Sequence, residues 1–87
     1  MSLREVLSAE TDAIKQNVSS VARSDVGFVR EYERAGNALA MKNRLVPNSS
    51  QTWGNRRDGF IKRHLAQYQK NPTERRRLAL AMWAYRA

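Results

Sequence analysis

Apolar residues recur along this chain at spacings of three and four, and no stretch alternates cleanly with period two. The pattern predicts an all-α fold, a small bundle of three or four helices. Ser2 followed by Glu5 is a capping-box signature, after which Leu3, Leu7, Ile14, Val18 and Val21 share a face, so a first helix is predicted over about residues 3–22. Arg23-Ser24-Asp25 offers a new N-cap, and Phe28, Val29, Tyr32, Ala35 and Leu39 line up over a second helix at about 25–44, unless it continues the first. Val46-Pro47-Asn48-Ser49-Ser50 is the clearest break, because proline pushes its predecessor out of the helical region and asparagine and serine favour turns. A third helix, over about 51–70 and capped by Ser49 or Ser50, turns Trp53, Phe60, Ile61, His64, Leu65 and Tyr68 inward, although Gly54 and Gly59 each weaken it by roughly 1 kcal/mol relative to alanine. Asn71-Pro72-Thr73-Glu74 reads as N-cap, proline at the first helical position and an early acid, which starts a fourth helix at about 72–86 with an apolar tail from Leu78 to Tyr85.

A chain of 87 residues holds one domain, since at this size only roughly 60% of the unfolded surface can be buried. With 41% apolar and 28% charged residues, composition favours folding over disorder. The absence of cysteine removes disulfides, thiolate metal sites and thiol nucleophiles together. His64 is the single histidine and is preceded by Lys62 and Arg63, which repel cations, so no metal and no cofactor is expected. No apolar run approaches the roughly 18 residues of a membrane span and no secretory segment is apparent, so membrane contact is not expected.

Charge divides the domain in two. Residues 1–43 carry six bases and six acids, whereas residues 44–87 carry ten bases against Asp58 and Glu74, so the formal charge of +8 resides in the second half. This separates a neutral helical scaffold, 1–46, from a basic interaction half, 47–87, whose cations interleave with aromatic residues as in surfaces that meet polyanions. Arg56, Arg63 and Lys70 fall at steps of seven and form one ridge on the predicted third helix, with Lys62 adding to the field. Arg75, Arg76 and Arg77 span the first turn of the last helix, where the macrodipole is already positive; three guanidinium forks beside free helix amides suit a phosphate. Twelve arginines against four lysines lean the same way, because planar guanidinium binds phosphate bidentately. Spacing assigns Trp53, Phe60 and Tyr68 to the core and leaves Trp83 and Tyr85, near the chain end, as candidate partner contacts. Arg57 and His64 lie within the apolar stripe, where pairing of Arg57 with an acid such as Glu31 or Glu33 and an interior hydrogen bond for His64 are expected.

No nucleophile and base pair, paired carboxylates or Gly-rich phosphate loop occurs, so the chain is not expected to be an enzyme. Val29-Arg30-Glu31-Tyr32-Glu33-Arg34-Ala35-Gly36 resembles the I-R-Y-Y-E-R-x-G segment that follows the recognition helix of MerR-type helix-turn-helix regulators, although Arg23, Ser24 and Asp25 stand where that family has a G-V-S-type turn. The segments from Arg56 to His64 and from Pro72 to Trp83 resemble short basic stretches of small proteins encoded by tailed bacteriophages, which implies the cytoplasm of a bacterial or phage-infected cell, or a place in the virion. The expected function is nucleic-acid binding, to DNA or RNA, with Arg56, Lys62, Arg63, Lys70, Arg75, Arg76 and Arg77 on backbone phosphates. The alternative is a small structural or inhibitory protein that docks on an acidic protein surface. Self-association through the apolar last helix is a third mode.

Overall fold

A computed structural model of the chain describes residues 1–37 and 41–87, and among these it contains four α-helices and no strand, as the periodicity predicts. The helices are α1 (Leu3–Lys15), α2 (Phe28–Ala35), α3 (Trp53–Lys70) and α4 (Glu74–Ala81). All four are shorter than predicted, α3 by only two residues, each for a local reason.

The capping box of α1 forms as read: Ser2 Oγ accepts from the Glu5 amide at 3.2 Å and the Glu5 carboxylate accepts from the Ser2 amide at 3.2 Å. The helix ends at Lys15 rather than near 22 because Asn17 and Ser19 take φ of 53° and 55°, a left-handed conformation that a right-handed helix cannot include. Val18 and Ala22 therefore reach the core from a loop, while Ile14 and Val21 point outward. The buried stripe of α1 is Val6, Glu10 and Ala13, one position away from the face expected, with Leu3 and Leu7 at its flank. Glu10 is tolerated there because Arg30 of α2 donates to it at 2.5 Å.

That loop returns tightly to α2. A Cβ at Gly27 would run into the carbonyls of Val21 and Ala22, so glycine occupies the N-cap and the helix starts at Phe28 without the side-chain cap expected around Ser24. Gly36, at φ 79°, ends it with a left-handed C-cap whose amide donates to the Tyr32 carbonyl. Phe28, Val29 and Tyr32 are buried as expected; Leu39 lies outside the described residues.

The break at Pro47 is a turn closed by the Val46 amide on the Gln51 carbonyl and the Trp53 amide on the Arg44 carbonyl, both at 2.9 Å. Thr52, not Ser49 or Ser50, caps α3 by accepting from the Asn55 amide. Likewise Thr73, not Asn71, caps α4 by accepting from the Arg76 amide at 3.1 Å, and Asn71 ends α3. The last helix stops at Ala81, and Ala84 at φ 58° folds the tail back onto the molecule.

α1 packs against α2 and α4, and α3 packs against α4, so scaffold and basic half share one core. Its centre is aromatic: Trp83 lies 4.9 Å from Phe28 and stacks on Phe60 at 4.8 Å, which in turn stacks on His64 at 3.8 Å. Leu78, Leu80, Ala81, Met82, Trp83 and Ala84 are all buried. The apolar tail is therefore core, not surplus surface for a second copy, and Trp83, 7% exposed, is a core side chain rather than an exposed contact at the chain end.

Candidate nucleic-acid interface

α3, roughly 27 Å long at 1.5 Å per residue, lies on the bundle with one flank against α4, and Trp53 is its single fully buried residue. Phe60, Ile61, His64, Leu65 and Tyr68 are half-buried along that flank. The opposite flank carries Lys62, Arg63 and Lys70, all exposed, with Arg56 half-buried at its start. Steps of seven place Arg56, Arg63 and Lys70 about 10 Å apart in sequence along the helix axis. Arg56 is steadied by donation from Nε to Gln51 Oε1 at 3.0 Å. None of these four pairs with a carboxylate among the described residues.

The arginine triplet does not act as one unit. Arg77 donates to both carboxylate oxygens of Glu74, at 2.8 and 2.6 Å, and this bidentate bond holds Glu74 below the usual carboxylate range and raises Arg77 above its own. Arg77 is thus largely compensated. Arg75 reaches instead to the end of α1, donating to the Gln16 carbonyl at 2.7 Å and the Asn17 carbonyl at 3.3 Å. These acceptors stand at a helix C-terminus, where carbonyls lack intrahelical donors and the dipole is negative. Arg76 donates to the Asn71 carbonyl at 2.7 Å across the α3 to α4 turn. Both guanidinium groups are fixed by neutral carbonyl oxygens and not by a carboxylate.

Arg75 and Arg76 line an open groove of about 520 Å³ with Val18, Ser19, Asn71, Thr73 and Ala79, and no acid lines it among the described residues. Lys70, the last cation of the ridge, is the chain neighbour of Asn71, so ridge and groove are continuous in sequence at the α3 to α4 turn.

Two residues of the apolar stripe differ from expectation. Arg57 pairs with no acid of the first half: it donates from Nε to the Trp83 carbonyl at 2.7 Å and from Nη2 to the Ala84 carbonyl at 2.8 Å. Glu31 and Glu33 are taken by nearer partners, Glu31 by Arg34 and Arg44, Glu33 by Arg30. Arg57 is thus the clasp of the folded-back tail, a role visible only once Ala84 is known to reverse the chain. His64 stacks on Phe60, and burial, with the charge of Arg63 beside it, holds its pKa below the ordinary 6.5. The shift favours the neutral imidazole, so His64 adds little to the cationic face.

Tyr85 is half-buried beside Glu5, Asp12, Arg77 and Arg86, and Arg86 pairs with Glu5. Among the described residues no three His, Cys, Asp or Glu side chains gather as a metal site, and no helix is long and apolar enough to cross a membrane. Compared with protein-family models, curated proteins and solved structures, the chain matches none.

Proposed function

We propose that the protein is a non-enzymatic nucleic-acid-binding module that contacts backbone phosphates and does not read sequence. The observation that carries this reading is the way Arg75 and Arg76 are held: carbonyl oxygens orient them without neutralising them, at a groove without acids and next to the unpaired cations of α3. A guanidinium offers five donors, and one or two bonds to carbonyls leave the remainder for phosphate oxygens. Arg75 and Arg76 anchor one phosphate in the groove, and Arg63 and Lys70, with Arg56 and Lys62 beside them, follow the strand along α3.

Burial of Trp53 and Trp83 withdraws them as stacking platforms for single-stranded bases, so the reading rests on phosphate contacts. Each phosphate neutralised releases counterions, so affinity falls steeply with salt. With six contacts, affinity for a fluorescein-labelled 20-mer duplex drops by about three decades between 50 and 200 mM salt, with little change between two unrelated sequences. Fluorescence anisotropy at the two salt concentrations tests this. A flat response, or no binding at 50 mM salt, overturns it.

A further inference from the structure

A second surface lies away from the α4 groove. Val21 and Val26 are 79% and 66% exposed, and both border a recess of about 240 Å³ between the 21–27 loop and the turn at Pro47. Trp53 and Trp83 of the core also line it, and Arg56 is its one charged lining residue among those described. Exposed apolar side chains scattered singly over a surface call for no explanation; two valines and a proline around one recess that reaches the aromatic core form a pocket fit for an apolar anchor. The Gly27 contact keeps the recess in shape, because the loop carrying the valines is seated directly on the start of α2.

The charge beside the recess identifies its occupant. From Arg56 the cationic flank of α3 leads away through Arg63 and Lys70 without an opposing acid. The thymine methyl is the one aliphatic group a strand of DNA offers a valine-lined recess, whereas an acidic peptide with one bulky apolar residue matches both parts: side chain in the recess, carboxylates on Arg56 and the ridge. We infer that this recess docks an acidic segment of a partner protein through an apolar anchor. The recess shares no residue with the Arg75–Arg76 groove, so the apolar anchor does not depend on the nucleic-acid reading, while Arg56 and the α3 ridge serve either partner.

Because Trp53 and Trp83 line the recess, their emission reports its occupancy. The test titrates the full chain, at 50 mM salt, with the acetylated hexapeptide Asp-Glu-Leu-Phe-Glu-Asp and its counterpart with Gly-Gly in place of Leu-Phe. The Leu-Phe peptide is expected to bind at least tenfold tighter and to shift the tryptophan emission. The double variant Val21→Ser and Val26→Ser, at positions too exposed to matter for folding, loses that tenfold preference with an unchanged circular dichroism spectrum. Equal affinity of the two peptides, or a preference that survives in the serine variant, overturns the inference. So does a valine-dependent emission shift with oligo(dT), which assigns the recess to a nucleobase, or with protein concentration alone, which assigns it to a second copy.

Discussion

Arg30 and Arg76 each make one short hydrogen bond to their own protein, at 2.5 and 2.7 Å, yet the two bonds leave opposite surfaces behind. Arg30 meets the carboxylate of Glu10, and around it Arg34 and Arg44 meet Glu31, so the charges of α1 and α2 cancel where they touch. Arg76 meets a carbonyl, as do Arg75 and Arg57, and the charge remains. The difference teaches that orienting a guanidinium and neutralising it are separate operations. Between α1 and α2 the Arg30–Glu10 pair does both, which stabilises their packing; in the α3 to α4 region Arg77 is neutralised by Glu74, but Arg57, Arg75 and Arg76 are only oriented, which gives a positive surface with fixed geometry. The cost is repulsion among unneutralised cations, moderated by helix-end carbonyls.

The largest effect that could break this contrast concerns the tail. Trp83→Ala removes the ring on which Phe28 and Phe60 pack and is expected to destabilise the fold by about 3–5 kcal/mol in urea unfolding; near-unchanged stability would return Trp83 to the surface. Arg57→Ala deprives the Trp83 and Ala84 carbonyls of their donor, for an expected loss of about 1.5–3 kcal/mol, while Arg63→Ala, on the free ridge, stays within about 0.5 kcal/mol. Equal effects at the two positions would erase the distinction between clasp and ridge.

Arg75→Ala is expected to lower stability by about 1 kcal/mol and to speed amide exchange in the last turn of α1. From sequence alone, changing Arg75, Arg76 and Arg77 to alanine is expected to leave the fold intact or slightly stabilise α4; the bonds of Arg75 to the Gln16 and Asn17 carbonyls predict a loss at that position instead. Smallest is the pH effect. His64 is held below 6.5, so between its folded and unfolded pKa values the unfolded chain binds the proton first, and stability declines as pH falls below about 6.5. His64→Phe, which keeps the stack on Phe60, removes that decline. The same sign applies at lower pH to Glu5 and Glu74, both lowered from 4.5: their contribution is complete above that pH and disappears as pH falls through their lowered values.

Periodicity carried the helical class, the Ser2 cap, the break at Pro47 and the cationic ridge, because each rests on spacing or on one residue's local chemistry. Helix ends were less legible. Asn17, Ser19 and Ala84 adopt left-handed backbone without being glycine, so tertiary packing rather than residue type ended α1 and turned the tail. Thr52 and Thr73 act as caps two or three residues after stronger-looking candidates, where the preceding turn fixes the register. At the candidate site the charge was legible but its holders were not: Gln16, Asn17 and Asn71 contribute main-chain oxygens, and no side-chain pattern reports a carbonyl that faces an arginine.

The central claim is that α3 presents cations left free for phosphate. Its most direct test compares the salt dependence of duplex binding for the natural chain and for the triple variant Lys62→Gln, Arg63→Gln and Lys70→Gln, with unfolding midpoints measured alongside. The account predicts an unchanged midpoint and a slope of log affinity against log salt reduced in magnitude by about 2.7, three contacts at roughly 0.9 each. An unchanged slope in a variant that folds as before would contradict it.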